Sequence, residues 1–303
     1  MNTNSQTPKP YIEIEVPVTR YLISSIHNLS YSQVKVEGYG NIDLKMDILK
    51  PEVESPLPVI LYITGGRFLY CKKENNIQMR VRLAEAGYVV ASIHYRTAPL
   101  SLFPAPVEDV KAAVRYLRAN ATRFNIDPLH VGLWGESAGG YMASMAGATN
   151  GTQLFNTGDN LEYSSEVSAV LDLYGVTSLS QIASDFSKEV QKEHEKSPAT
   201  PEALFVYGAD PVTNHGIACD PHKLLQTDPM NYITDKTPPF LIMHGGQDDV
   251  MSVMESQLLY EALKQKGIPV TFYFVKNAQH SGVVWQQEPI LSLIIDFFNQ
   301  YLK

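Results

Sequence analysis

Cysteine is scarce in this chain, whose 303 residues contain only Cys71 and Cys219. Two cysteines cannot form a disulfide framework, so a hydrophobic core must stabilise the fold, and the chain is long enough for one large domain. The first ten residues have neither the charged nor the apolar segment of a secretory signal. Both features are typical of a reducing compartment, and we predict a cytoplasmic location.

Long apolar runs and long basic runs are also absent. The longest apolar stretches have strand length, well short of the ~20 residues that cross a bilayer. The net charge of −8 argues against a nucleic-acid partner or an anionic membrane surface. The His, Cys and acidic residues of the sequence do not have the spacing of a metal-binding motif. The loop with Gly65 and Gly66 lacks the sequence of a phosphate-binding loop. We therefore predict no metal and no organic cofactor.

The most informative motif in the sequence is Gly135-x-Ser137-x-Gly139. The apolar run before it, 130–134, predicts a buried strand, and the small apolar residues 140–148 predict a helix packed closely on a sheet. A nucleophilic serine on a sharp strand-to-helix turn needs glycine at both flanking positions, because larger side chains would collide there. We predict that Ser137 is such a nucleophile. The alternative is a tight turn whose serine only caps the helix.

A serine nucleophile needs a base and a third group that orients the base, and an acid and a histidine should follow in that order. The apolar strand 239–244 runs into a loop with Asp248 and Asp249, and the strand 270–275 is followed by His280. Strand ends are where an α/β sheet places its functional side chains. A lone histidine is more often structural, but His280 fits the template in sequence order. We predict that it is the base and that one of the two aspartates is the acid.

The chain resembles carboxylesterases of the α/β-hydrolase fold over residues 40–302. It is most similar to the hormone-sensitive-lipase type and to the feruloyl and acetyl xylan esterase (BD-FAE-like) group. The segments that carry the resemblance are 61–68, 94–100, 103–109, 124–128, 238–246 and the stretch around His280. The resemblance implies a mostly parallel central sheet flanked by helices, with a small cap insertion. Aligning His244-Gly-Gly-Gln-Asp248 with the family's His-Gly-x-x-Asp favours Asp248 over Asp249 as the acid.

The backbone N–H of Ala138, directly after the nucleophile, is the expected first donor to an oxyanion. The resemblance implies two further donors, the N–H groups of Gly66 and Arg67. The chain departs from the family's His-Gly-Gly-Gly pattern, with Thr64 for the histidine and Arg67 for the third glycine. Backbone donors survive such changes, so we predict an intact oxyanion hole. For the Arg67 side chain we expect a surface salt bridge, with recognition of an anionic or strongly polar part of the substrate as the alternative.

Strand and helix patterns alternate along the chain, which predicts a single α/β domain over residues 1–303. We expect a hairpin over 31–49 and a C-terminal amphipathic helix over 288–302. Residues 174–236 are rich in charged and turn residues and have a helix pattern over Ser180–Lys196. The resemblance implies that this insertion is a cap over the active site. A disordered linker is the alternative, although its apolar residues are sufficient to pack.

Together these features predict two-step hydrolysis of an ester through an acyl-enzyme. Four aromatic residues near the motif loops are candidates for the substrate pocket, with ordinary core positions as the alternative: Phe68, Tyr70, Tyr141 and Trp285. A compact cap with nearby aromatics favours small acyl or aryl esters of the acetyl or feruloyl type. The alternatives are a serine peptidase or amidase of the prolyl-oligopeptidase kind, cleavage of lactones, and a non-catalytic small-molecule receptor on the same scaffold. Similar esterases are often homodimers, so a homodimer is a possible assembly.

Overall fold

The computed structural model describes residues 11–303, in which three consecutive strands are followed by helices and strands that mostly alternate, with three helices in a row between the sixth and seventh strands. The strands are β1 (Ile23–Val36), β2 (Gly40–Pro51), β3 (Leu57–Ile63), β4 (Val89–Ile93), β5 (Ile126–Glu136), β6 (Ala169–Leu173), β7 (Phe240–Gly245) and β8 (Val270–Val275). The helices are α1 (Ile77–Glu85), α2 (Ala105–Ala119), α3 (Ala121–Phe124), α4 (Ala138–Ala148), α5 (Lys188–Lys196), α6 (Pro201–Tyr207), α7 (Pro221–Leu225), α8 (Val253–Gln265) and α9 (Glu288–Leu302). None of them is both long and apolar enough to cross a bilayer.

The strands form one sheet in the order β1-β2-β4-β3-β5-β6-β7-β8. The β1–β2 hairpin is antiparallel and pairs antiparallel with β4, whereas every pairing from β4 to β8 is parallel. The predicted mostly parallel sheet is therefore confirmed. Strands β4, β6 and β7 are buried along their whole length, which explains why they are continuous apolar runs in the sequence. The parallel strands all end at the same edge of the sheet, where the functional loops follow.

Helices cover both faces of the sheet. Residues of α2, α4 and α8 belong to one hydrophobic layer, which includes Val107, Met142 and Leu259. Residues of α1 and α9 belong to the other layer, for example Leu83 and Phe298. Helix α4 has glycine where it lies very close to the sheet, and a Cβ atom on Gly147 would be 2.7 Å from Val170 of β6. The two layers hold the loops at the edge of the sheet in fixed positions.

Two predicted elements differ from the structure. The first strand is longer than expected, since β1 begins at Ile23 rather than at residue 31. The predicted helix over Ser180–Lys196 is wrong in its first half, because α5 begins only at Lys188. The hydroxyl of Ser187 accepts a hydrogen bond from the N–H of Val190 and caps the helix there. The segment 174–236 also contains α6, α7 and short 3₁₀ turns.

Candidate active site

Ser137 occupies the sharp turn between β5 and α4. Its backbone has φ 52° and ψ −122°, a conformation that non-glycine residues rarely adopt. A Cβ atom on Gly135 would lie 2.1 Å from the carbonyl oxygen of Gly139, and one on Gly139 would lie 2.0 Å from that of Ile63. The two glycines are thus required by close backbone contacts, as the motif predicts. The Ser137 N–H donates to Leu173 O at 2.9 Å, which fixes the turn against β6.

Asp248 and His280 follow the ends of β7 and β8, and the fold brings both to Ser137. His280 Nε2 is 2.9 Å from Ser137 Oγ, and His280 Nδ1 is 2.7 Å from Asp248 Oδ2. In the tautomer that satisfies both contacts, the serine hydroxyl donates to Nε2 and the Nδ1–H donates to the carboxylate. The three side chains therefore form one continuous hydrogen-bonded chain. This arrangement can remove a proton from the serine hydroxyl as it attacks a carbonyl carbon.

The adjacent aspartates have different surroundings. Asp248 Oδ1 accepts the backbone N–H of Val250 at 2.9 Å and of Met251 at 2.8 Å. Its Oδ2 is also 3.3 Å from Nε2 of the buried His244. Burial alone would raise the pKa of Asp248, but the hydrogen bonds from His244 and His280 lower it well below its usual range. Asp249 is exposed to solvent. The structure therefore places Asp248, not its neighbour, against His280.

Three backbone N–H groups belong to residues that line the cavities at Ser137 and are candidates for an oxyanion hole: those of Gly66, Arg67 and Ala138. Ala138 is the first residue of α4, so its N–H has no acceptor within the helix. Gly65 is adjacent to the serine, since a Cβ atom there would lie 3.0 Å from Ser137 Cβ. The next residues form a tight turn in which Gly66 O accepts the N–H of Leu69, and Arg67 adopts φ 53°, where the family has glycine. Within residues 11–303 the N–H groups of Gly66 and Arg67 donate to no protein acceptor.

Glu136 connects the nucleophile turn to the surrounding loops. Its carboxylate accepts Asn76 Nδ2 at 2.6 Å, the Tyr174 hydroxyl at 3.1 Å and the backbone N–H of Gly65 at 3.4 Å. The ring of Tyr174 in turn packs on His280, with 4.9 Å between the ring centroids. Sequence reasoning did not identify Tyr174 or the contact of His244 with Asp248. Tyr174 reaches His280 from a separate loop, and no motif marks it. His244 belongs to the His-Gly-x-x-Asp motif, but the motif alone does not reveal its contact with Asp248.

Two cavities meet at Ser137. The narrower one has an empty volume of about 400 Å³ and is lined by Arg67, Phe68, Ser137, Ala138, Val176, Ile182, His194, Pro201, Glu202, Val250 and Met251. The more open one, of about 740 Å³, is lined by Gly65, Gly66, Arg67, Tyr70, Asn75, Glu136, Ser137, Tyr174, Val250, His280 and Ser281. Helices α5 and α6, within the segment predicted to be a cap, therefore contribute to the wall of the narrow cavity, whereas His280 lines the open one.

Two of the four predicted pocket aromatics do line these cavities, Phe68 the narrow one and Tyr70 the open one. The other two line neither of these cavities. Tyr141 is fully buried in one hydrophobic layer, and its hydroxyl donates to Thr227 O at 2.7 Å. Trp285 is buried in the opposite layer, where its Nε1–H donates to Gln279 O. Both lie close to a motif in sequence, but their side chains point into the core.

The salt bridge expected for Arg67 is absent from residues 11–303, because no acidic side chain there lies within 4.0 Å of its guanidinium. The side chain is exposed and lines both cavities. No group of three or more His, Cys, Asp and Glu residues in this described range could hold a metal ion. The hydrogen-bonded side chains of Ser137, His280 and Asp248 are suited to proton transfer.

The chain has recognisable relatives. The BD-FAE family model matches residues 46–263. Esterase LipC of Mycobacterium tuberculosis is 29% identical over 212 residues, or 69% of this chain and 49% of that protein. A solved structure described as a truncated form of a carbohydrate esterase from gut microbiota is 26% identical, with a TM-score of 0.79, over 94% of this chain and 98% of its own. A bifunctional GH43-CE of Bacteroides eggerthii is 30% identical, with a TM-score of 0.76, over 91% of this chain and 35% of its own.

These likenesses confirm that the sheet and its helices form the α/β-hydrolase fold expected from the sequence. The chain spans about half the length of the curated relatives it matches. The shared part includes the nucleophile turn and the loop of Asp248, both of which lie within the region of the family match.

Proposed function

The chain belongs to the BD-FAE family, and on that premise we propose that it hydrolyses carboxylic esters with Ser137 as the nucleophile. The observation that carries the proposal is the hydrogen-bonded chain from Ser137 through His280 to Asp248, with contacts of 2.9 and 2.7 Å. An esterase needs this arrangement because a serine hydroxyl is a weak nucleophile until a base takes its proton. The esterase relatives support the same reaction class.

In the proposed mechanism, Ser137 Oγ attacks the carbonyl carbon while His280 Nε2 takes its proton. The resulting oxyanion accepts hydrogen bonds from the N–H groups of Gly66, Arg67 and Ala138, each typically contributing about 3 kcal/mol. The tetrahedral intermediate then collapses, and the alcohol leaves with the proton from His280. Water attacks the acyl-enzyme through the same base, which returns the proton to the serine and releases the acid.

We assign the two halves of the ester to the two cavities. The alcohol takes its proton from His280, so it must leave on the side that His280 lines, which is the open cavity. The acyl group stays attached to Ser137 and occupies the narrow cavity under α5 and α6. The narrowness of this cavity and the Phe68 ring in its wall suit a short acyl group. The open cavity fits a larger alcohol, such as the sugar suggested by carbohydrate-esterase relatives or an aryl group.

The first test is turnover of p-nitrophenyl acetate by the wild type and by Ser137→Ala. We expect the substitution to reduce kcat by a factor of at least about 10⁴ while the thermal unfolding midpoint stays close to that of the wild type. Labelling with a fluorophosphonate should occur in the wild type only. Equal turnover by the two proteins would refute the proposal, and peptide cleavage without ester turnover would favour the peptidase. Folded protein with neither labelling nor turnover would favour the receptor.

Other expectations from the sequence stay predictions. They are the single domain with residues 174–236 as a cap, the cytoplasmic location, the lack of a metal or cofactor, and the homodimer. The last is tested by measuring the mass in solution.

A further inference from the structure

The segment between β6 and β7 places a second histidine and a second carboxylate in the wall of the narrow cavity. His194 of α5 and Glu202 of α6 both line it, and His194 Nδ1 is 2.5 Å from Glu202 Oε1. The Glu202 side chain is 1% exposed, whereas that of His194 is 28% exposed. A buried carboxylate thus fixes the imidazole through Nδ1, as Asp248 fixes His280. His194 Nε2 has no hydrogen-bond partner within residues 11–303.

The charges around His194 favour its protonated form. The hydrogen bond with Glu202 raises the pKa of His194 more than its burial lowers it, and Glu193 adds to the rise, while Arg67 opposes it. Arg67 lines the same cavity, and its guanidinium has no acidic partner in the described part of the chain. A guanidinium and an imidazole whose protonated form is favoured therefore lie at one cavity, whose remaining walls are largely apolar.

We propose that Arg67 and His194 form a subsite for a carboxylate carried by the acyl group, so that the preferred substrates are half-esters of short dicarboxylic acids. The proposal rests on the proposed function, because it assigns the narrow cavity to the acyl group. A guanidinium and an imidazolium N–H both donate to a carboxylate with charge assistance, and such bonds are stronger in a partly apolar site than in water.

The alternative to an anionic acyl group is a cationic one, which the carboxylate of Glu202 would recognise. Its second oxygen, Oε2, is buried without a hydrogen-bond partner in the described residues. That atom could accept a hydrogen bond from a cationic acyl group if the wall opened. In the structure Oε2 has almost no accessible surface, so the groups presented to an acyl chain are those of Arg67 and His194. An anionic acyl group is therefore favoured over a cationic one.

The test compares three ethyl esters that differ only at the end of the acyl chain: monoethyl succinate, ethyl succinamate and ethyl 4-aminobutyrate. Ethanol release gives kcat/KM for each, and the readout is the ratio of the anionic to the neutral ester. Because both esters use the same serine, changes in the common chemistry cancel in this ratio. We expect a ratio of at least about 10 for the wild type, in line with one good charge-assisted contact.

The ratio should fall towards 1 in His194→Gln and in Arg67→Ala. The matched control is His222→Gln, the same substitution at an exposed position of α7, which should leave the ratio as in the wild type. The wild-type ratio should also fall as the pH rises and His194 loses its proton, since the succinate carboxylate stays ionised throughout. In His194→Gln the ratio should not depend on pH. These results together would support the subsite.

A wild-type ratio near 1, with the neutral ester turned over, would overturn the subsite and leave the esterase proposal intact. Preference for ethyl 4-aminobutyrate would overturn it in favour of recognition by Glu202. The subsite would also be overturned if the ratio of kcat/KM for the anionic ester to that for the neutral ester stayed at the wild-type value in both His194→Gln and Arg67→Ala. Loss of the proposed function itself is a separate result, because it would appear as a failure of p-nitrophenyl acetate turnover in the same preparation.

Discussion

Replacing Asp248 by asparagine tests the contact that orients the proposed base. An asparagine can keep its Oδ1 on the N–H groups of Val250 and Met251, which are 2.9 and 2.8 Å from the native oxygen. The amide NH₂ then replaces Oδ2, which is 2.7 Å from His280 Nδ1. Because an amide donates where the carboxylate accepted, Nδ1 must become the acceptor and the ring proton moves to Nε2. That nitrogen, 2.9 Å from Ser137 Oγ, can no longer accept the serine proton.

The expected loss is large. The wrong tautomer in a serine triad lowers kcat by about 10⁴, which corresponds to roughly 5 kcal/mol of transition-state stabilisation. The assay is kcat for p-nitrophenyl acetate at neutral pH. The matched control is Asp249→Asn, which removes the same charge from the next residue and should keep kcat within about twofold, because Asp249 is exposed. Retention of more than a tenth of the activity by Asp248→Asn, or an equal loss in Asp249→Asn, would refute the assignment.

The same pair of variants tests the electrostatics. The pKa of Asp248 is lower in the folded protein than in the unfolded chain, so its carboxylate stabilises the fold above the unfolded pKa of about 3.9. This contribution is lost as the pH falls through the lower folded pKa. Urea unfolding should therefore show Asp248→Asn less stable than Asp249→Asn at pH 7. The difference in unfolding free energy between the two variants should become smaller under acidic conditions. A difference that does not change with pH would contradict the pKa shift.

Three further predictions concern the supporting structure. Burial raises the pKa of Glu255 to about 8, so the stability of the wild type should fall as the pH rises from about 4.3 towards 8, by at most about 1.4 kcal/mol per pH unit. In urea unfolding, the free energy of unfolding of Glu255→Gln should depend less on pH than that of the wild type. An equal dependence on pH would contradict the pKa shift. Gly139→Ala should destabilise the protein by about 3 kcal/mol or more in thermal unfolding, since its Cβ would lie 2.0 Å from Ile63 O; normal stability would exclude that contact. Tyr174→Phe keeps the ring on His280 and loses one hydrogen bond, so we expect about 1 kcal/mol less stability and kcat within about threefold, and a larger drop in kcat would give the hydroxyl a direct role.

The sequence predicts those parts of the site that short segments determine. Ser137 is recognisable because its turn demands two glycines. His280 is recognisable because it lies in the loop that follows an apolar strand. The β6–β7 insertion is less predictable, since its short helices depend on contacts with the rest of the molecule. His194 and Glu202 could not be identified for that reason.

Nearness in sequence to a motif is also a weak guide to which way a side chain points. Tyr141 follows the nucleophile by one helical turn and faces a buried layer, where it packs at 5.7 Å from the ring of Phe205. Trp285 follows His280 closely, yet it is buried and packs on Tyr174, with 5.0 Å between ring centroids. Arg67 is exposed, as a surface arginine should be, but the expected salt-bridge partner is absent from the described residues.

The insertion between β6 and β7 begins and ends on neighbouring strands, which pair from Val170 with Phe240 to Leu173 with Met243. Its two attachment points are thus held by the sheet whatever lies between them. A library of chimaeras could exchange this segment as a cassette, with both junctions in regular strands and the reacting groups on other loops. The chimaera should then have the acyl-group preference of the protein that donated the segment. Its rate of hydrolysis of a simple acetate ester should be that of the protein that received the segment.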